Sequence, residues 1–211
     1  KMKLIAIIPA RTNSQRLPNK NFRQFFGRPI IEWVIDEVKK SELFDKIVVS
    51  TDDVNIANWN KEYSEQQKFD VFLRKNPVYE QTVDDVCLEV LKEYPDYDYL
   101  CCIYPCAYVV TWQDLCKGFK ITMEKQYCYS YGMLNNLKIE NYLGENRPII
   151  LPKQYKIDNG GFYWMNVQNF LYNKELYTGD DGYELPMVDI NDIQDFAEAK
   201  LHALNFRAGC F

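Results

Sequence analysis

Short apolar runs rich in β-branched residues alternate along this chain with segments of helical period, and that alternation most constrains its fold. The runs Lys3–Ile8, Lys46–Ser50, Val71–Leu73, Tyr99–Tyr104 and Gln126–Tyr131 read as strands. Ile30, Trp33, Val34 and Val38 recur at helical spacing, as do Val83, Val86, Cys87, Val90 and Leu91. A third helix is expected over Trp112–Lys125, and Ile193, Phe196, Ala197, Leu201 and Leu204 mark a closing one. Continuous apolar strands separated by helices are the pattern of a mostly parallel sheet covered on both faces, so the expected class is α/β. With 211 residues, 47% of them hydrophobic, the chain reads as one domain over 1–211. From about Leu134 to Tyr155 the alternation fails. Asn135-Asn136, Gly144-Glu145-Asn146 and Pro148 give that stretch the composition of a hairpin or arm, a candidate for subunit contact.

Several function classes are disfavoured by composition. No run approaches the roughly 18 apolar residues of a spanning helix, and the first residues lack a charged-then-apolar leader pattern. The expectation is a cytoplasmic protein with no membrane partner. The seven cysteines form no CxxC pair and sit mostly inside apolar strings (Cys87, Cys101, Cys102, Cys116), which suits reduced core thiols. A net charge of −5 with no basic tract argues against nucleic acid, which needs many phosphate contacts over a surface.

Against that acidic background, Leu4 to Asn21 runs from a buried strand into a loop carrying Arg11, Arg16 and Lys20 and no acid. In open α/β sheets ligands sit beyond the carboxyl ends of strands. Thr51-Asp52-Asp53 and Pro105-Cys106-Ala107 also follow strands, so three loops are expected to converge on one crevice. Neither GxxxxGK nor GxGxxG occurs, so a bound phosphate must be held mainly by side chains. Arg11 and Arg16 offer planar forks, Lys20 a compact charge and Ser14 a neutral donor.

The run Ala10 to Asn21, Ala-Arg-x-x-Ser-x-Arg-x-Pro-x-Lys-Asn, resembles the signature loop of the cytidylyltransferases that make CMP-activated acidic sugars. Phe26-Gly27-Arg28-Pro29-Ile30-Ile31, Ile47–Asp53 and Phe72-Leu73-Arg74 are similar to further family segments in the same order. Cys101–Ala107 and Asp158–Tyr163 look most like the enzymes acting on pseudaminic acid, while Asn159-Gly160 also matches the sialic acid version. The resemblance implies a three-layer α/β/α Rossmann-like nucleotidyltransferase fold and a homodimer. It also implies a reaction of CTP with a nine-carbon 2-keto-3-deoxy sugar acid, giving the CMP-sugar and pyrophosphate with Mg2+ present. By that resemblance Ala10, Arg11, Ser14, Arg16, Lys20, Asn21 and Arg74 hold the nucleotide, and Arg16, Lys20 and Asp189 carry catalysis. Tyr104, Asn159 and Tyr163 meet the sugar, with Phe162 also lining its pocket. Asp189 and Asn191, two apart in the strand-like Met187–Asn191, bind the metal.

Some positions have a plainer use. Arg74 could form a surface ion pair, Asp189 and Asp192 could cap the helix starting near Ile193, and His202 reads as a surface residue far from the motif loops. Three departures from the family pattern stand out. Asn191 replaces a carboxylate, Thr12-Asn13 replaces a permissive Gly-Gly, and Cys106-Ala107-Tyr108 lacks a hydroxyl and a proline. They leave open a second reading, a nucleotide-binding homologue of the same fold without turnover, and a third, a scaffold subunit that docks a protein through its arm.

Overall fold

A computed structural model describes residues 1–12, 14, 16–54, 69–74, 81–135, 154–176 and 182–206. The strands are β1 (Leu4–Pro9), β2 (Gln24–Phe25), β3 (Arg28–Pro29), β4 (Lys46–Thr51), β5 (Asp70–Leu73), β6 (Tyr99–Ile103), β7 (Tyr127–Asn135), β8 (Gln154–Asn166) and β9 (Gly182–Glu184). The helices are α1 (Ile30–Lys40), α2 (Val83–Glu93), α3 (Trp112–Lys125), α4 (Val167–Asn173) and α5 (Ile193–Phe206). Among the described residues a 3-10 turn spans Lys20–Phe22. The main sheet has the order β5-β4-β1-β6-β8-β7-β9, and β8 alone runs against its neighbours.

Why the strands lack polar alternation is visible in their packing. Leu4, Ala6 and Ile8 of β1 and Cys101 and Ile103 of β6 join one core with α1, α3 and α5. Ile5, Ile7, Leu100 and Cys102 point the other way, into a second core with α2 and α4. Each strand therefore buries both faces, which requires near-continuous apolar sequence. A fully buried isoleucine contributes about 1.5–3 kcal/mol relative to an exposed one, so β1 with its three isoleucines at 0% exposure is a principal anchor.

Helix starts follow local chemistry. Thr82 and Asp85 form a reciprocal capping box on α2, and Thr111 and Asp114 form one on α3. Asn166 caps α4 through Asn169 N at 3.2 Å. The buried Glu37 of α1 accepts from Trp112 N at 3.0 Å, tying α1 to the first turn of α3. Phe26 and Gly27 both hold positive φ, 49° and 83°, and turn the β2–β3 hairpin in the sense that twisted strands favour.

The expected helices and five expected strands are present, with boundaries moved by a few residues. Met187–Asn191, expected to be strand-like, is in no strand, because no neighbour offers it a ladder. Most of the expected arm, 136–153, lies outside the described residues, as does Asn13. What is described is the pairing on either side of it, down to Asn135 against Gln154.

Strand β8 is not apparent in the sequence, since Asp158-Asn159-Gly160-Gly161 interrupts it. Pairing with β7 passes from Tyr129–Tyr163 to Tyr131–Asp158, so residues 159–162 leave that ladder. Side chains take over part of the pairing of their backbone, Asp158 Oδ1 accepting from Gly160 N at 3.0 Å. Asn159 Oδ1 accepts from Ser130 Oγ at 2.8 Å and Gly161 N at 3.3 Å, while Ser130 Oγ accepts from Phe162 N at 2.9 Å. Asn159 Nδ2 donates to Leu185 O at 2.6 Å.

Candidate functional site

From β1 the chain proceeds to β4 and β5 on one side of the sheet and then crosses to β6 on the other, so strand order switches beside β1. Beyond the carboxyl ends there lies a cavity of about 600 Å³. Arg11, Ser14, Arg16, Lys20 and Asn21 line it from the loop after β1, Arg74 from the end of β5, Tyr104 and Cys106 from the end of β6, and Asp189 and Asn191 from the segment before α5.

The loop after β1 is pinned at several points. Ala10 N donates to Ser50 O at 2.7 Å, Leu17 is buried in the core, and Asn21 Nδ2 donates to Arg11 O at 2.9 Å. Thr12 holds no left-handed backbone; its N–H and hydroxyl both donate to Asp52 Oδ1, at 2.9 and 3.2 Å. Thr12 is thus held by a side-chain clamp from the end of β4. Residues 51–53 do not line the cavity; Asp52 supports it from behind, so the loops after β1, β5 and β6, rather than those after β1, β4 and β6, form its wall.

Arg74 is buried at 7% exposure and is not a surface ion-pair residue. Its Nε donates to Ser50 Oγ at 2.9 Å and a terminal nitrogen to Ser50 O at 3.1 Å. Burial lowers its pKa, Asp52 and Glu89 oppose that, and Arg11 adds to the lowering. Among the described residues, four cationic side chains thus border the cavity against one lining carboxylate, Asp189, an excess suited to a polyanion.

Across from the loop, the 187–191 segment is held by long-range contacts. Ile190 is fully buried, and its carbonyl accepts from Lys20 Nζ at 2.7 Å. Arg16 donates to Asn191 Oδ1 at 2.8 Å, and Asn191 Nδ2 donates to Asp189 Oδ2 at 2.9 Å. An amide fits between a cation and a carboxylate because it presents an acceptor to one and a donor to the other. Val188 N donates to the hydroxyl of Tyr108, which also pairs with His202 Nδ1 at 2.9 Å. His202 is half-buried and sits behind the site, a correction to its reading as a remote surface residue. Burial pushes the Tyr108 hydroxyl up to about 12. Asp192 caps α5, accepting from Gln194 N and Asp195 N at 2.8 and 2.9 Å, whereas Asp189 stays on the cavity wall.

Four expected contacts are absent from the cavity lining. Ala10 and Phe162 are wholly buried, Asn159 is consumed by the backbone of β8, and Tyr163 lies at 4% exposure behind Tyr104 with its hydroxyl on Asp158. Leu17 and Ser130 were not foreseen, and Asp52 and Tyr108, expected only as members of loops near the crevice, act through partners remote in sequence that no local motif announces. Cys106 lines the cavity from a buried position. Burial pushes its thiol up, Lys20 works against that and Asp189 adds to it, which places both charges around the sulfur.

A hard divalent cation takes one or two carboxylates and completes its shell with phosphate oxygens and water. Asp189, on a cavity it shares with Arg11, Arg16, Lys20 and Arg74, offers the hard oxygen that use requires. Among the described residues no group of three acidic, histidine or cysteine side chains could hold a metal alone, so such an ion depends on ligand oxygens. Among the same residues no helix is long and apolar enough to cross a membrane.

Comparison with known proteins places these features in context. A family model described as cytidylyltransferase matches residues 5–136. A pseudaminic acid cytidylyltransferase of Campylobacter jejuni is 28% identical, over 95% of this chain and 96% of that protein. A CMP-N,N'-diacetyllegionaminic acid synthase of Legionella pneumophila is 27% identical over 84% of each. Among solved structures, a CMP:2-keto-3-deoxy-manno-octonic acid synthetase complexed with CTP superposes with a TM-score of 0.75 at 13% identity, covering 96% of this chain and 99% of that one. That likeness establishes a nucleotidyltransferase fold.

Proposed function

This chain belongs to the cytidylyltransferase family, and on that premise we propose that it joins CTP to a nine-carbon 2-keto-3-deoxy sugar acid of the pseudaminic or sialic type, giving the CMP-sugar and pyrophosphate. The observation that carries the proposal is the convergence of Arg11, Arg16, Lys20 and Arg74 on one cavity opposite Asp189. The Campylobacter and Legionella relatives, named for such sugars and matching most of the chain, support the substrate class.

Nucleotidyl transfer asks the protein for positioning and charge stabilisation. Arg16 and Lys20 neutralise the triphosphate and the departing pyrophosphate, while Arg11, Ser14 and Arg74 orient the nucleotide. Asn21 positions the loop through the Arg11 carbonyl. Asp189 would hold Mg2+, with Asn191 beside it, and the bound ion would supply further neutralisation of phosphate charge. Tyr104, at the end of β6, faces the sugar acid. Cytoplasmic location and a homodimer formed through 134–155 belong to the same reading; sedimentation at twice the chain mass is the expected result, and sedimentation at the chain mass would contradict the dimer.

Pyrophosphate release measured with CTP against pseudaminic, sialic, legionaminic and octulosonic acids tests the proposal. Release with CTP and a nine-carbon acid is expected; none with any of the four contradicts it. The second reading, binding without turnover, is favoured by one feature: Asn191 stands where the family has a carboxylate, and its oxygen is already engaged by Arg16. Calorimetric titration that finds CTP bound equally with and without Mg2+, and no pyrophosphate, selects that reading.

A further inference from the structure

One side of the cavity answers to neither phosphate nor metal. Gln81, Val83 and Val86 line it from the start of α2. Gln81 stands immediately before Thr82, the residue that caps this helix, and reaches along it by about two turns, where its Nε2 donates to Glu89 Oε2 at 2.9 Å. Its other terminal atom, Oε1, is buried and meets no donor among the described residues. A buried acceptor without a partner is costly, so such an atom on a cavity wall marks where a donor of the ligand belongs.

Charge fixes which end of this amide is free. A carboxylate only accepts, so Glu89 holds the NH2 group and leaves the oxygen as the end on offer. Turned over, the amide would set two acceptors against each other. The neighbouring lining is apolar, with Val83 half-buried and Val86 buried. Helix α2 packs on one face of the sheet, whereas α5 and the 187–191 segment before it pack on the other. Gln81 and Asp189 therefore approach the cavity from opposite faces. With the phosphates of a nucleotide held by Arg16, Lys20 and Asp189, its base is left to the α2 side, where a flat neutral ring meets valines and one fixed acceptor.

We propose that Gln81, locked by Glu89, selects cytosine by accepting a hydrogen bond at Oε1 from the 4-amino group of the base, a role that rests on the cytidylyl-transfer reading. Uracil differs at that edge by carrying a carbonyl oxygen, which would face Oε1 with no proton between them. Gln81 touches the base. Glu89 is a positioning residue that decides which end of the amide is presented.

Gln81→Met keeps the length of the side chain and removes the acceptor. Glu89→Gln keeps size and lets the Gln81 amide turn over, because the new amide can donate as well as accept. Calorimetric titration with CTP and with UTP reads both. The unmodified protein should bind CTP at least about tenfold more tightly than UTP. In Gln81→Met that preference should collapse, chiefly because CTP weakens by about tenfold, and in Glu89→Gln it should fall because UTP tightens. Taking the ratio removes any effect that Glu89 has on both nucleotides alike through the charge of Arg74. A preference kept within about twofold in both variants, or an equal loss of both nucleotides in Gln81→Met, overturns the role of Gln81. Pyrophosphate release by the unmodified protein from CTP and a nine-carbon acid then still upholds cytidylyl transfer. An unmodified protein that binds neither nucleotide overturns the transfer reading and base selection with it.

Discussion

The two walls of the cavity are built by opposite means. The loop after β1 carries its chemistry in one contiguous stretch: Arg11, Arg16 and Lys20 follow a buried strand, and Leu17 and Asn21 within the same stretch fix its shape. The 187–191 wall has no regular structure and owes its position to distant partners, Lys20, Arg16 and Tyr108. A contiguous motif can be recognised in isolation, whereas the opposite wall exists only once the rest of the fold has closed around it. The difference also divides the labour. The loop supplies positive charge, and the far wall supplies a carboxylate, Asp189, and the amide that couples it to the loop.

The sharpest way to break this division is Asp189→Ala. If the far wall provides the carboxylate at the reacting centre, kcat/KM for pyrophosphate formation should fall at least about a hundredfold. Steady-state kinetics showing less than a tenfold loss would move the reacting centre away from that wall. Next come the loop cations. Lys20→Ala and Arg16→Ala should each cost about tenfold in kcat/KM, as expected for one charge-assisted phosphate contact. Unchanged kinetics in both would remove the loop from the mechanism.

How far each wall was legible in the sequence follows from the same contrast. The helix Trp112–Lys125 was readable to the residue because its capping box and apolar spacing are local. Strand β8 was not, because Asp158-Asn159-Gly160-Gly161 reads as a loop until the Asp158, Asn159 and Ser130 side chains accept from the N–H groups of 160–162. Asn159 and Tyr163 were assigned to the sugar on motif alone, and packing turned one inward and placed the other behind Tyr104. Met187–Asn191 looked like a strand by its apolar spacing, yet side-chain spacing cannot reveal a missing ladder partner. His202 was dismissed because its contact, Tyr108, lies 94 residues away.

Two smaller effects refine the comparison. Tyr108→Phe keeps the buried ring but strands Val188 N, which should lower stability by about 1 kcal/mol in urea unfolding. An unaltered midpoint would mean that Ile190 alone positions the wall. Asn191→Asp puts a second carboxylate where an amide now bridges Arg16 and Asp189, and the Mg2+ concentration for half-maximal rate should fall by about threefold. No change in metal requirement would place the ion away from residue 191.

The most direct test of the two-walled cavity is a crystal structure of the protein with CTP. The account predicts the triphosphate lying between the walls, its oxygens within hydrogen-bonding distance of Arg16 and Lys20 and its α-phosphate facing Asp189. A nucleotide bound elsewhere on the molecule, with Arg16 still on Asn191 and Lys20 still on the Ile190 carbonyl, would contradict it.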